Sequence, residues 1–217
     1  MEIELIDFLG SQHIGVPLFA AEAYAFSPVA SPAKFIELMK RRLKVDVTLV
    51  SDTILGSLVA GNSYGLVVSE VISTEVLDQL KSINMPVYQA PEFFAFGNVV
   101  LVNDHGGIIS PIVPSSIRKK ISDTLNVPIE PKTIANSDLV GSLAYVNNYG
   151  GLFSPLSNED EIAEIKAVLK LKTVGIGSVN KGSEFIASGI FGNTKGMFIG
   201  RETTGIELME FTRVFTP

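Results

Sequence analysis

The feature that most constrains this chain of 217 residues is an internal repeat with a period of about 43 residues. A tetrad that begins with Asn and ends with Gly occurs four times, and successive Asn positions are separated by 41, 44 and 46 residues. The tetrads are Asn62-Ser63-Tyr64-Gly65, Asn103-Asp104-His105-Gly106, Asn147-Asn148-Tyr149-Gly150 and Asn193-Thr194-Lys195-Gly196. The position six residues before the Asn is also repeated, and it holds Gly56, Gly97, Gly141 and Ala187. A degenerate first copy at Gly15 and Ala21 brings the number of units to five and accounts for nearly the whole chain.

Each tetrad predicts the turn of a β-hairpin. Asn at the first position caps a type I turn, and Gly at the fourth position suits a residue that leaves the turn with positive φ. Apolar segments flank the turns, as residues 99–102 and 108–109 do around the second tetrad. Their nearly continuous apolar character predicts strands that are buried on both faces.

A helix and a short strand are predicted after each of the first four hairpins. Ser73 is a capping residue ahead of apolar residues spaced by three and four, and residues 157–160 resemble the start of a capping box. The predicted closing strands are residues 45–50, 86–88, 127–129 and 172–174. For the fifth unit the sequence predicts only a weak helix over residues 204–209 and a closing strand over residues 211–215.

The repeated order of hairpin, helix and strand predicts one α/β domain over residues 1–217, built as a closed ring of five units. The blades of all-β propellers have a similar period, but each contains four strands and no helix. An open solenoid needs polar capping repeats, and neither end of this chain is more polar than its middle. Closure of the ring also removes exposed sheet edges.

Composition narrows the chemistry that the protein can perform. The chain has no cysteine, which excludes disulfides, thiolate metal sites and cysteine nucleophiles. His13 and His105 are the two histidines, and neither has a catalytic or metal-binding partner at a recognisable spacing. We therefore expect no enzyme activity, no catalytic residue, no metal site and no cofactor.

The N-terminus and the apolar segments predict a soluble cytoplasmic protein. The first residues lack the basic region of a secretory signal. The longest uncharged run, residues 139–158, contains Asn, Gly and Pro residues that are unsuited to a membrane span.

Charge leaves two interpretations open for the basic residues. The net charge of −6 means that any contact with nucleic acid requires a local basic patch or a second protein. Basic clusters lie near the predicted ends of helices, at residues 40–44, 118–120 and 166–172. Cations are favoured at helix C-termini for structural reasons alone, and the alternative is a patch that contacts RNA.

Three segments resemble a known family. They are residues 61–68 (GNSYGLVV), 147–155 (NNYGGLFSP) and 177–189 (GSVNKGSEFIASG). Together with an ordered likeness from about Ile14 to Phe215, they make the chain similar to the translation initiation factor 6 family in its archaeal form. The resemblance implies a pentein-type fold, which is a fivefold pseudosymmetric α/β propeller.

The resemblance also implies a function. Members of the family bind the large ribosomal subunit, chiefly through a uL14-type ribosomal protein near the sarcin–ricin loop, with limited contact to rRNA. They sterically prevent association with the small subunit, in translation initiation and in maturation of the large subunit. A monomer with no membrane contact is expected. One alternative is a pentein-fold enzyme, and most enzymes of that fold use a cysteine nucleophile. The other is a protein-binding scaffold unrelated to the ribosome.

The family contacts its partner through loops on one face, and these include the residue after the repeat glycine. Carried over by position, the resemblance implies a ribosome-binding face that contains Ser57, Asn98 and Ser142 after the glycines and Asn62, Asn103 and Asn147 in the turns. Ser57 stands where eukaryotic members have a bulkier basic residue. We expect all six residues to lie on one rim of the ring.

Overall fold

The computed structural model describes residues 2–216, in which five three-stranded sheets form a ring. In every sheet the middle strand pairs antiparallel with its hairpin partner and parallel with a third strand. The first strands of all five hairpins line one axial cavity, and the helices pack outside the sheets. The predicted α/β fold with fivefold pseudosymmetry is confirmed.

The described residues contain the following elements. The strands are β1 Glu2–Ile6, β2 Phe19–Ala20, β3 Tyr24–Pro28, β4 Asp46–Val50, β5 Val59–Asn62, β6 Gly65–Val68, β7 Val87–Gln89, β8 Val100–Val102, β9 Gly107–Ile109, β10 Ile129–Pro131, β11 Ala144–Val146, β12 Gly150–Phe153, β13 Thr173–Ile176, β14 Ile190–Gly192 and β15 Gly196–Gly200. The helices are α1 Ala33–Leu43, α2 Leu55–Leu58, α3 Thr74–Lys81, α4 Phe96–Val99, α5 Ser115–Leu125, α6 Glu159–Val168 and α7 Gly205–Phe215, with a 3₁₀ turn at Ile186–Gly189.

The hairpins and helices of the first four units lie where the sequence predicts them, and so do three of their closing strands. The third closing strand, predicted over residues 127–129, is shifted to Ile129–Pro131. Ser73 accepts a hydrogen bond from the amide of Val76 at the start of α3, and Asn158 forms a capping box with Glu161 at the start of α6. The middle strand of each sheet is fully buried, as the apolar segments predict. None of the helices between residues 2 and 216 is long and apolar enough to cross a membrane.

The predicted closing strand over residues 211–215 is wrong, because this segment belongs to helix α7. Thr204 and Glu207 form a capping box at the start of this helix, and Phe211, Val214 and Phe215 are buried at helical spacing. The third strand of the fifth sheet comes from the other end of the chain. Strand β1 pairs in parallel with β15, in the register Glu2 with Gly196 through Ile6 with Gly200.

The fourth position of each tetrad is glycine for a reason other than the predicted one. Among the described glycines only Gly10 and Gly182 have positive φ. A Cβ atom added at Gly106 would lie 2.3 Å from the carbonyl oxygen of Val168, close to the C-terminal end of α6. The turn of one repeat therefore packs against the helix end of the next repeat, and only glycine leaves room for this contact.

Each of the five buried cores lies between two neighbouring repeats. Ile117, Ile121 and Leu125 of α5, for example, pack against Ala60 and Val67 of the preceding sheet. Helix α1 packs in the same way against the fifth sheet, which closes the ring. Because a helix completes the core of its neighbour, the units depend on one another for stability.

Candidate functional site

The ring has two rims, at opposite ends of the hairpin strands. The first, which we call the glycine rim, is built from the short turn before each hairpin and consists of Gly15, Gly56, Gly97, Gly141 and Ala187 with the residues that follow them, Val16, Ser57, Asn98, Ser142 and Ser188. The second, the hairpin rim, consists of the turn tetrads 21–24, 62–65, 103–106, 147–150 and 193–196. Strand β5 begins beside the glycine rim at Val59 and ends in the hairpin rim at Asn62.

The six predicted site residues are therefore divided between the two rims, and the expectation of one shared rim is wrong. Ser57, Asn98 and Ser142 line a depression at the glycine rim, whereas Asn62, Asn103 and Asn147 lie in the turns of the hairpin rim. The reason is the length of the strand between them, because the four residues of β5 alone span roughly 13 Å.

Close backbone contacts hold the glycine rim together. A Cβ atom at Gly97 would lie 2.1 Å from the carbonyl oxygen of Gly56, and one at Gly56 would lie 2.2 Å from that of Gly15. The amide of Gly141 donates to the carbonyl of Asn98 at 2.9 Å, across the boundary between two repeats. These contacts use the backbone, and the side chains that follow the glycines remain half-buried in the depression.

Apolar side chains surround the polar centre of the glycine rim. The depression has a volume of about 250 Å³, which is below the roughly 300–1,000 Å³ of typical small-molecule pockets. Ile54, Leu139 and Phe185 stand two residues before the rim positions and are exposed, and Phe93 on the same side is 77% exposed. A shallow surface with apolar and small polar side chains is typical of a protein-binding site.

The asparagines of the hairpin rim act as clasps between repeats. The Oδ1 of Asn103 accepts hydrogen bonds from the amides of His105 and Gly106, which caps its own turn as predicted. Its Nδ2 donates to the carbonyls of Asn147 at 3.2 Å and Leu169 at 2.9 Å, both in the next repeat. The side chain thus joins a turn, the neighbouring turn and the end of the neighbouring helix.

Three of the five boundaries between repeats carry such a clasp. Asn62 and Asn193 make contacts equivalent to those of Asn103. The buried Nδ2 of Asn147 has no partner among residues 2–216, and the first repeat has Ala21 in place of the asparagine. Asn62, Asn103 and Asn147 are only 2%, 5% and 5% exposed, so their side chains are not available to a partner of the hairpin rim.

Carboxylates join the same pairs of repeats on the outside of the hairpin rim. Glu22 accepts hydrogen bonds from the amide and hydroxyl of Thr194, and Asp104 accepts them from Ser63 and Asn148. These acidic side chains are thus engaged within the ring.

Glu207 fixes the segment that leads to the fifth turn of the glycine rim. Its carboxylate accepts hydrogen bonds from the hydroxyl of Ser178 at 2.6 Å, the amide of Gly182 at 2.9 Å and the amide of Thr204 at 2.6 Å. Burial by itself would raise the pKa of this carboxyl group, but the three hydrogen bonds outweigh it and lower the pKa below its ordinary value.

We expect Glu207→Gln to destabilise the protein at neutral pH by about 1 kcal/mol, because charge-assisted hydrogen bonds are lost. A carboxyl group with a lowered folded-state pKa contributes stability above its unfolded pKa and loses it as the pH falls. The deficit relative to the wild type should therefore shrink between pH 7 and about pH 3.5. Urea unfolding at the two pH values measures this loss of stability, and Glu202→Gln, a substitution at an exposed residue, is the control. An equal deficit at both pH values would contradict the assignment.

A histidine–serine contact lies on the glycine rim but lacks the third group of a catalytic triad. Nδ1 of His13 is 3.4 Å from Oγ of Ser188. A serine nucleophile needs a histidine that a further group orients, and among the described residues no carboxylate is bonded to the His13 ring. Between residues 2 and 216 no group of three or more acidic or histidine side chains is placed to hold a metal ion.

Sequence reasoning missed the short helices that form the turns before two of the hairpins. Helices α2 and α4 share the pattern of an apolar residue, Gly, a small polar residue and an apolar residue, in Leu55–Leu58 and Phe96–Val99. This recurring pattern was the available signal, since it marks a turn whose glycine contacts its neighbour.

Comparisons with known proteins agree with this architecture. The sequence profile of the eIF-6 family matches residues 3–214. Proteins named "Translation initiation factor 6" are similar over nearly their whole length. That of Methanoculleus marisnigri is 34% identical, with 97% of this chain and 96% of the relative covered. Those of Methanococcus vannielii and Methanocaldococcus jannaschii are 35% and 32% identical, with 94% and 93% of this chain and 93% and 92% of the relatives covered.

Proposed function

The chain belongs to the eIF-6 family, and from this membership we propose that it binds the large ribosomal subunit and blocks association with the small subunit. Its relatives are named as translation initiation factors, and a role in translation initiation follows for this protein. We extend the proposal to maturation of the large subunit, in which the same bound state would keep an unfinished subunit from joining. The mechanism is steric and needs no catalysis, and the protein would act as a monomer in the cytoplasm.

The glycine rim is the surface that we propose for this contact, with Ser57, Asn98 and Ser142 at its centre. The observation that carries the proposal is the combination of small polar side chains with exposed Ile54 and Phe185 around a shallow depression. Such a surface fits a folded protein partner, and we propose a uL14-type ribosomal protein near the sarcin–ricin loop, with limited contact to rRNA. A contact made mainly by protein also suits a chain with a net charge of −6.

Co-sedimentation with purified ribosomal subunits tests the proposed function. We expect the protein to move with the large subunit in a sucrose gradient and to lower the yield of joined ribosomes when it is added before the small subunit. Protein that stays at the top of the gradient while a different protein is captured would instead favour a scaffold unrelated to the ribosome.

A matched pair of substitutions tests the choice of rim. Asn98→Arg adds bulk and charge to the glycine rim, and His105→Arg adds a similar side chain to the hairpin rim. We expect Asn98→Arg to weaken retention on the large subunit at least about tenfold, since a buried unpaired charge at the centre of an interface costs several kcal/mol. His105→Arg lies outside the glycine rim and should not weaken retention by more than about twofold. Equal retention of the two variants would contradict the choice of the glycine rim.

A further inference from the structure

The C-terminal ends of the outer helices lie on the hairpin side of the ring. The hydrogen bonds from the rim asparagines show this directly, because their Nδ2 groups reach the carbonyls of Leu43, Leu125 and Leu169 at the ends of α1, α5 and α6. We call the surface formed by the hairpin rim and these helix ends the hairpin face. The helix N-termini lie on the opposite side, together with the glycine rim.

Cations on the hairpin face are largely without acidic partners. Those that form no ion pair among the described residues are Arg41, Lys44, Lys81, Lys170, Lys172 and Lys195. On the other side, Lys132, Lys181 and Arg201 lie 2.7, 3.4 and 3.3 Å from carboxylates, and Lys34 forms no ion pair within residues 2–216. The hairpin face therefore presents several cations without acidic partners in the described part of the chain, although the protein has a net charge of −6.

The acidic groups of the hairpin face keep their negative charge, but most of them bind groups other than these cations. The carboxylates of Glu22 and Asp104 accept hydrogen bonds from neighbouring turns, and Glu2 and Glu4 both pair with Arg42. Among the described residues the carboxylates of Asp46 and Asp123 remain without an ion pair there. The cations without a carboxylate partner are available to an anionic partner with several charges.

Aromatic side chains recur around the hairpin rim. The third position of the last four tetrads holds Tyr64, His105, Tyr149 and Lys195. Tyr64 is 44% exposed, and Nζ of Lys172 lies 5.5 Å from the centre of the Tyr149 ring. Flat aromatic rings beside unpaired cations are the combination that binds stacked bases and the phosphates between them. An acidic protein would use the cations but would gain little from the rings.

We propose that the hairpin face binds single-stranded nucleic acid, with phosphates at Lys172 and Lys195 and bases on Tyr64 and Tyr149. The choice of RNA over DNA rests on the proposed function in translation, whereas the surface itself does not depend on that function. Because the two rims lie at opposite ends of the strands, a partner at the glycine rim would leave the hairpin face accessible.

Fluorescence anisotropy with a labelled oligouridylate of about 20 nucleotides tests the proposal at low salt. We expect binding that weakens steeply as salt is added, and a loss of at least about threefold for Lys195→Glu with a salt slope lowered by about one. The matched control is Lys34→Glu, an exposed lysine at the start of α1 on the opposite side, which makes the same change in net charge. Its affinity should remain within about twofold of the wild type. No binding at low salt, or equal losses for the two variants, would overturn the proposal.

The aromatic side chains provide an independent test. Tyr64→Ser should weaken oligouridylate binding about tenfold, while Tyr64→Phe keeps the ring and should bind like the wild type. Labelled polyglutamate of similar charge serves as the mimic of an acidic protein. Polyglutamate that binds as tightly as the RNA, together with no effect of Tyr64→Ser, would replace the proposal with an acidic protein partner. Failure of these tests with intact co-sedimentation would leave the proposed function of the glycine rim standing.

Discussion

Replacing Asn103 by aspartate is expected to destabilise the ring by about 2–3 kcal/mol more than the same replacement at Asn147. Both side chains are equally buried, and both use Oδ1 to cap their own turns. Only Asn103 has carbonyl oxygens opposite its Nδ2 group. Aspartate at that position would lose two hydrogen bonds and place a negative charge against those oxygens.

Urea unfolding of the two variants at pH 7 measures the difference, and Asn147→Asp accounts for the cost of burying a carboxylate. The difference in unfolding free energy between the two variants should become smaller at low pH. There the carboxyl group introduced by Asn103→Asp is protonated and can donate one hydrogen bond again. Equal destabilisation of the two variants would mean that the asparagine clasps contribute nothing to cohesion between repeats.

Removal of residues 1–6 is expected to lower the free energy of unfolding by about 3–5 kcal/mol, because it removes the third strand of the fifth sheet. Ile6 is buried in the core that the first and fifth repeats share, and Glu2 and Glu4 pair with Arg42 of α1. The loss would expose the edge of β15, and we expect self-association through that edge.

Thermal unfolding and light scattering of the shortened protein measure both effects. A synthetic peptide of residues 1–8 should restore part of the lost stability when it is added in excess, since it can pair with β15 again. An unchanged melting temperature, or a peptide without effect on a destabilised monomer, would contradict the role of β1 in closing the ring.

The repeat made most of the fold predictable from sequence. The Asn of each tetrad caps its turn locally, so its role could be predicted from residue types alone. The closing strand of the fifth unit could not be found in the same way. A repeat defines the order of elements but not where the chain begins within that order, and here it begins with the strand that completes the last unit.

Long-range contacts explain what the sequence left undetermined. The need for Gly106 comes from the carbonyl of Val168 in another repeat, which no local pattern reveals. The sequence did not reveal that the predicted site is divided, because Asn98 and Asn103 are close in sequence. The strand between them places each residue at a different rim. The gathering of helix C-terminal cations on one side likewise depends on the common direction of the helices.

The pairing of β1 with β15 has a consequence for how the protein is made. Strand β1 cannot join its sheet until Gly196, the partner of Glu2, has been synthesised. Helix α1 likewise has no sheet of the fifth unit to cover until then. The closed ring therefore cannot form until strand β15 has been synthesised. The final step of folding then pairs two segments that are far apart in the sequence, and such pairing is intrinsically slow. A nascent chain that stalls before the fifth unit would expose apolar surface at both ends, where chaperones and proteases act.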